Sequence, residues 1–263
     1  MLLEGKRIVV MGLLDTRSFA WAIGTKAAAE GAEVIYTVQN ERFRDVLLRR
    51  SFKGEGLSIE DYTILPCDVT KDEEIQALFE RIEGPIDGLV HSVAYANPKT
   101  CLADTMFEAP RQDVLTAFEI SAASLVFVAG AARSKFTRGG SIVALSFDSQ
   151  NVYPNYNWMG VCKAALEGCA RYLARDLGPI GVRVNSLSAG PQKTMAANHI
   201  PGFARIADEW PGRSPIGWDL DGDRDAVAGS AIYLLSDLST RVTGELLHVD
   251  GGFNRVGVPL RKD

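Results

Sequence analysis

The sequence predicts an α/β fold in which a Rossmann-like, doubly wound parallel β-sheet of about seven strands is flanked by helices. Short β-branched runs alternate with longer helical patterns along all 263 residues, and neither a fixed-period repeat nor a low-complexity segment interrupts them. Strands interleaved with helices form right-handed βαβ units, whose parallel sheet is covered on both sides. No linker-like stretch divides the chain, so we expect residues 1–263 to form a single domain.

The predicted strands follow one another in order, each ending where a helix or a loop begins. The first, Arg7–Met11, is a buried apolar run, and the helix after it, 18–30, ends at Gly31. Six further strands are expected at 33–37, 62–66, 87–91, 141–145, 183–188 and 245–249. The helices between them are expected near 41–51, 71–82, 111–133, 153–177 and 223–235.

The longest stretch without a clear strand or helix period runs from Gly190 to about Asp221. A connection of that length in a compact domain is usually a lid or a binding loop. Its apolar residues, which include Ile206 and Trp210, could cover a hydrophobic ligand. The same residues could instead form short helices packed on the sheet, and periodicity leaves both interpretations open.

Composition disfavours several classes of function. The net charge is −5 and both signs are interspersed, with only a brief basic cluster at 42–53, so we expect no nucleic-acid partner. The four cysteines form no CxxC pair and predict reduced thiols. The acidic series 219–225 lacks the glycine and closing glutamate of a calcium loop, so no metal is expected.

Targeting signals also guide the expected location. The predicted first strand leaves no room for a signal peptide before it, and no apolar run approaches the roughly 18 residues of a membrane span. We therefore expect a cytoplasmic protein with no membrane partner.

Ligands of open parallel sheets bind beyond the carboxyl ends of the strands. Gly12, after the first strand, allows a sharp turn, and Ser18 can cap a helix whose N-terminus favours a pyrophosphate. Because this is not a GxGxxG motif, a plain strand–helix turn explains it equally well. After the second strand comes Gln39, which is neither the carboxylate typical of NADH binding nor the arginine typical of NADPH binding, so the choice between the two nucleotides stays open. Glu41 would repel a 2′-phosphate, which favours NADH.

The helix expected at 153–177 carries a tyrosine–lysine pair. Seven residues fall about 20° short of two turns, so Tyr156 and Lys163 share a face with ~10.5 Å of axial rise between them. The lysine could hold a ribose hydroxyl and favour negative charge on the phenol, and the phenol could donate to an oxyanion. By itself such a pair occurs by chance in many helices. A second pair, Tyr95 and Lys99, is interrupted by Pro98 and is set aside.

Two segments, YNWMGVCKAALE at 156–167 and RVNSLSAGP at 183–191, resemble the enoyl-[acyl-carrier-protein] reductases. This family is a divergent branch of the short-chain dehydrogenase/reductases. The likeness extends from Gly12 to the VDGG motif at 249–252. The Tyr-x6-Lys spacing is the most specific feature, because the ordinary branch uses Tyr-x3-Lys.

The resemblance implies hydride transfer from NADH to the β-carbon of a trans-2-enoyl thioester of acyl carrier protein or coenzyme A, in fatty-acid biosynthesis. It implies a homotetramer and a substrate-binding loop at about 191–213. The implied catalytic residues are Tyr156, Lys163 and Phe147, and the implied substrate contacts are Ala96, Tyr156 and Met159. The implied cofactor contacts are Gly12, Ser18, Phe19, Gln39, Asp68, Val69, Ser92, Val93, Lys163, Gly190, Gln192 and Thr194.

The chain departs from the family pattern at a few positions. Phe147 stands where many members have a second tyrosine, Ala94 replaces a glycine, and Gln192-Lys193 replaces an Ile-Arg pair. The short 190–215 segment argues against very long acyl chains. Two other functions stay open: a reductase of another conjugated or carbonyl substrate, and a nucleotide-sensing protein without chemistry, which only Ala94 favours.

Overall fold

A seven-stranded parallel sheet forms the centre of the protein, in the order β3-β2-β1-β4-β5-β6-β7. The computed structural model describes residues 1–195 and 197–260. The sheet confirms the predicted fold class. Its strands are β1 (Arg7–Met11), β2 (Glu33–Val38), β3 (Thr63–Pro66), β4 (Ile86–His91), β5 (Phe136–Ser146), β6 (Arg183–Ala189) and β7 (Leu246–Val249).

Helices cover both faces of the sheet. One apolar cluster joins the sheet to α3 (Asp72–Arg81), α5 (Ser124–Ala132) and α6 (Asn157–Leu177). A second cluster on the other face joins it to α1 (Phe19–Ala29), α2 (Arg49–Gly54) and α8 (Arg224–Leu235). The remaining helices are α4 (Arg111–Phe118) and α7 (Phe203–Arg213).

The strand order reverses between β1 and β4, where Met11 is in register with His91. At such a switch point the connections leave the two strands in opposite directions, which opens a crevice beyond their carboxyl ends. The predicted cofactor and catalytic residues follow the carboxyl ends of β1 to β6. The fold therefore gathers them along one edge of the sheet.

The segment 190–221, left open by periodicity, contains the short helix Ala197–His199 and helix α7. Its sequence masks the helical period because a left-handed glycine, Gly202, precedes α7 and Pro211 lies in its last turn. The buried side chains of α7 are Ile206, Ala207 and Trp210. The short-helix interpretation is thus present in the structure.

A helical run at Arg111–Lys135 contradicts the expectation that no apolar run approaches the length of a membrane span. By length and composition alone it could cross a membrane, although 39% of its apolar window is buried inside the protein. The run is long because α4, a π-helical turn at Glu119–Ala123 and α5 are continuous, and it is apolar because Glu119 is the one charged residue between Leu115 and Ala132. One face packs in the sheet cluster, while Phe118 and Phe127 on the run are exposed.

Candidate active site

The turn after β1 depends on a glycine. Gly12 has φ +86°, and a Cβ built on it would lie 2.2 Å from the carbonyl oxygen of Ser92, just beyond β4. Only glycine permits this approach, because the conformation and the contact both exclude an L side chain. Ser18 then caps α1: its Oγ accepts from Trp21 N at 3.2 Å and donates to Asp15 O at 2.7 Å. Phe19 begins the helix and packs on the apolar cluster beneath it.

The carboxyl ends of β2 and β3 lie side by side, with Val38 in register with Pro66. Gln39 is exposed beyond β2, and Val69 is buried beyond β3. Asp68 is half-buried, and its Oδ1 accepts from the backbone and the hydroxyl of Thr70 at 3.0 and 2.7 Å. Three predicted cofactor residues therefore share this part of the edge.

The segment after β4 runs from Ser92 to Ala96. Ser92 N donates to Met11 O at 3.3 Å, Val93 packs on the core, and Ala96 is buried. Sequence reasoning missed the residue that holds this segment, Ser121. Its hydroxyl donates to Tyr95 O and accepts from Tyr95 N, both at 2.9 Å.

Tyr156 immediately precedes the first residue of α6 and is 8% exposed. Its ring meets Phe147 edge-on with the centroids 5.0 Å apart, and Met159 and Ala96 belong to the same apolar cluster. Burial raises the pKa of Tyr156, and Cys162 and Glu167 add to the rise. The phenol therefore stays protonated and can donate a hydrogen bond. Burial thus opposes the negative charge on the phenol that the sequence predicts from the nearby lysine.

Lys163 is buried two turns further along α6. Its Nζ donates to Leu145 O, at the end of β5, at 2.8 Å. Burial lowers the pKa of Lys163 to about 8, while Cys162 and Glu167 oppose the change. An ammonium group has three donors, and within the described residues only one is committed. Two donors remain for a ligand.

Glu167, which sequence reasoning also missed, fastens β5 to α6. Its carboxylate is 4% exposed and accepts from Ser146 Oγ at 2.6 Å and from Ser149 Oγ at 2.5 Å. It lies one turn after Lys163 on the buried face of the helix. The carboxylate thereby sets the position of the connection that carries Phe147 and Tyr156.

The loop after β6 is enclosed. Gly190 N donates to Val249 O at 2.8 Å, and a Cβ at Gly190 would lie 2.6 Å from the Trp218 ring. Gln192 is 2% exposed, and its Nε2 donates to Asp219 O at 2.8 Å. Thr194 Oγ1 accepts from Ala197 N at 3.1 Å. Gly190, Gln192 and Thr194 thus lie together in the enclosed loop beyond β6.

Comparison with known proteins decides the family. The family model described as enoyl-(acyl carrier protein) reductase matches residues 12–254. The NADH-dependent enoyl-[acyl-carrier-protein] reductase of Bacillus cereus is 40% identical over 260 residues, which cover 97% of this chain and 99% of that protein. The chain belongs to the enoyl-[acyl-carrier-protein] reductase family.

Other members of the enoyl-[acyl-carrier-protein] reductase family are similar over their full length. The Staphylococcus aureus enzyme, named for NADPH, is 40% identical over 97% of this chain and 98% of its own. The crystal structure of the NADH enzyme from Aquifex aeolicus superposes with a TM-score of 0.88 at 36% identity, covering 98% of this chain and 100% of that one. The family therefore includes enzymes named for either nicotinamide cofactor.

The site residues fit the nicotinamide dinucleotide of the enoyl-[acyl-carrier-protein] reductases. Gln192 Oε1 is buried and has no hydrogen-bond partner among residues 1–195 and 197–260. An unpaired buried acceptor costs free energy until a donor reaches it, and the amide of a nicotinamide carboxamide is such a donor. Together with the two uncommitted donors of Lys163, this acceptor provides complementary groups for a bound nucleotide.

The acidic series before α8 is held by its own hydrogen bonds. Asp219 Oδ1 accepts from Asp221 N at 2.9 Å, and Asp223 Oδ2 accepts from Asp219 N at 2.6 Å. Among the residues that the structure describes, no group of three His, Cys, Asp or Glu side chains could hold a metal ion. The four cysteines are free thiols.

Proposed function

We propose that this chain reduces the trans-2 double bond of enoyl-[acyl-carrier-protein] thioesters, or of the coenzyme A thioesters, in fatty-acid biosynthesis. The observation that carries the proposal is the Tyr156–Lys163 pair: a buried, protonated phenol immediately before α6 and a buried ammonium seven residues later on that helix. The pair lies at the carboxyl edge of a nucleotide-binding type of sheet.

In this proposal Tyr156 stabilises the charge that develops on the substrate. Addition of hydride to the β-carbon moves an electron pair toward the thioester carbonyl, so negative charge forms on its oxygen. A protonated phenol in an apolar surrounding stabilises such an oxygen more strongly than water does. Phe147 excludes water beside the phenol, since the two rings are in edge-on contact.

NADH, when bound, supplies the hydride. Lys163 would hold its ribose hydroxyls with the two free ammonium donors, and Gln192 would accept from its carboxamide. The remaining cofactor contacts that we propose are Gly12, Ser18, Phe19, Gln39, Asp68, Val69, Ser92, Val93, Gly190 and Thr194.

The end of β2 supports NADH as the preferred cofactor. Asn40 Oδ1 accepts from Phe43 N at 2.8 Å, and Gln39 and Glu41 are exposed beside it. A carboxylate at this place would repel a ribose 2′-phosphate. Because the S. aureus relative is named for NADPH, both nucleotides are included in the test below.

The acyl chain is proposed to lie between Tyr156 and α7. Ala96 and Met159 belong to the same apolar cluster as Ile206 and Trp210 of α7. Residues 191–213 would therefore act as the substrate-binding loop of a single domain, 1–263.

Exposed apolar side chains support a homotetramer. Leu115 and Phe118 lie on α4, Val126 and Phe127 on α5, and Val161 and Tyr172 on α6; all are 38–66% exposed. The two helical elements pack in one layer on the sheet. Apolar surface of this extent on adjacent helices is typical of subunit interfaces. The proposal places the enzyme in the cytoplasm and assigns no role to a metal, a membrane or a nucleic acid.

The decisive experiment follows absorbance at 340 nm with crotonyl and dodecenoyl thioesters and either NADH or NADPH. Turnover is expected, and its absence with every combination would overturn the proposal. The Tyr156→Phe variant should keep its nucleotide affinity and turn over up to ~10²–10³-fold more slowly, as expected for one lost oxyanion donor. Tyr233→Phe, at an exposed tyrosine of α8, is the matched control and should behave as the wild type. An unchanged rate in Tyr156→Phe would remove this residue from the mechanism.

A further inference from the structure

A surface cavity of about 200 Å³ lies next to the candidate active site. Its apolar lining comes from Val152, Tyr153, Pro154, Ile206 and Phe253, and two arginines, a glutamate and an asparagine complete it. The lining thus joins the β5–α6 connection to α7 and to the turn after β7. Tyr156 is absent from this lining, so something separates the cavity from the catalytic phenol.

That separation consists of four aromatic rings. The Tyr153 ring lies 4.7 Å from Phe147, which also contacts Tyr156 at 5.0 Å and Trp210 at 5.7 Å. Trp210 completes the wall: its ring is 6.0 Å from Tyr153 and stacks on Phe253 at 3.6 Å. Tyr153 is the ring that both lines the cavity and contacts Phe147.

A buried carboxylate holds Tyr153 in place. Its hydroxyl donates to Asp148 Oδ2 at 2.9 Å, and Asp148 is 2% exposed. Asp148 is itself fixed by Asn151 Nδ2 at 2.6 Å and Gln150 N at 2.9 Å. His248 Nε2 faces its Oδ1 at 3.9 Å, which is beyond hydrogen-bond distance. A hydrogen bond to a charged, buried acceptor is among the stronger ones, so the ring has one defined position.

We propose that Tyr153, held by Asp148, is a specificity-determining residue that limits the acyl chain to the space beside Tyr156. This inference rests on the proposed reductase activity and names the class of substrate: short-chain enoyl thioesters are reduced more efficiently than long-chain ones. A longer chain would have to enter the 200 Å³ cavity, and the Tyr153 ring blocks that path. A smaller side chain at 153 would open the cavity toward Phe147, the ring that contacts Tyr156, and so extend the space available to the acyl chain.

The test compares Tyr153→Ala with Tyr153→Phe, which keeps the ring and loses only the hydroxyl. For each variant, kcat/KM is measured with crotonyl and dodecenoyl thioesters. Burial of one methylene favours binding by about fourfold, so entry of a few methylenes into the cavity should raise the dodecenoyl-to-crotonyl ratio at least ~10-fold in Tyr153→Ala. Tyr153→Phe should keep the wild-type ratio within ~3-fold, since the ring still blocks the cavity.

Tyr153→Leu is measured alongside, since it opens the path with a smaller loss of packing and serves if Tyr153→Ala does not fold by circular dichroism. An unchanged ratio in the folded open variants would overturn the inference. A wild type inactive on every thioester would instead contradict the proposed function. In that case binding of butanoyl- and dodecanoyl-pantetheine is measured by quenching of tryptophan fluorescence. Only the open variants should gain affinity for the longer ligand. Equal gains for both ligands would refute the inference.

Discussion

Replacing Lys163 by methionine should stabilise the protein while it removes a proposed contact with the cofactor. The Nζ group is buried, and burial lowers the pKa of Lys163 from 10.5 to about 8. Each pKa unit corresponds to about 1.4 kcal/mol, so holding the charge in the folded state at pH 7 costs about 3 kcal/mol. Loss of the hydrogen bond to Leu145 O offsets about 1 kcal/mol of this. The expected gain in free energy of unfolding is about 2 kcal/mol.

The gain should depend on pH in a defined way. Below pH 8 Lys163 is protonated in both the folded and the unfolded state, so the full cost of burying the charge is present in the wild type. Between pH 8 and the unperturbed pKa of 10.5 the folded state releases its proton first, so the wild type gains stability as the pH rises. The advantage of Lys163→Met should therefore shrink from pH 7 to pH 9.5.

Urea unfolding followed by tryptophan fluorescence, at equal protein concentration and without nucleotide, measures both effects. Lys99→Met, at an exposed lysine, is the matched control and should change stability by no more than ~0.5 kcal/mol. Fluorescence titration should show weaker NADH binding by Lys163→Met. A variant that is less stable than the wild type at both pH values, with the same difference, would refute the cost assigned to the buried charge.

Two further predictions concern the cofactor turn and assembly. Gly12→Ala should weaken NADH binding at least ~10-fold in a fluorescence titration, because its Cβ would lie 2.2 Å from Ser92 O at a φ of +86°. The control Gly54→Ala, at a glycine with open space around it, should bind NADH as the wild type does. Equal affinities of Gly12→Ala and the wild type would contradict the packing argument. Phe127→Glu, on the exposed face of α5, should reduce the molar mass measured by light scattering after size-exclusion chromatography. The control Leu238→Glu, exposed on the turn Asp237–Ser239, should leave the molar mass unchanged. A wild type that is already monomeric would contradict the proposed tetramer.

Several features of the site could be predicted from local sequence because they depend on near neighbours in the chain. The spacing of Tyr156 and Lys163 predicts that the two side chains share a face. Both are buried in the structure, although Tyr156 precedes α6 and Asn157, between them, has a positive φ. Gly12 could be predicted as a sharp turn because it directly follows a buried strand. The sequence predicts this helix from 153, whereas α6 begins at Asn157, because the positive φ of Asn155 interrupts the chain before that point.

Other features depend on residues that are distant in sequence. Ser121 meets Tyr95 because a π-helical turn lies at Glu119–Ala123, a local geometry that no hydrophobic period reveals. The sequence predicts Gly190 as a cofactor contact. The structure adds a second reason for a glycine there, because a side chain would collide with the Trp218 ring, 28 positions further along the chain. The aromatic wall likewise combines Phe147 and Tyr153 with Trp210 and Phe253 from separate elements.

The sequence alone determined the alternation of strands and helices, hence the parallel sheet and the edge at which its loops meet, because periodicity and chain connectivity are local properties. It also determined that a phenol and an ammonium lie seven residues apart around the start of one helix. Only the tertiary structure decided their chemical state, since burial raises the pKa of Tyr156 and lowers that of Lys163. Burial arises when distant segments pack together and exclude water, and neither the pKa values nor the wall beside the acyl site exists before that packing.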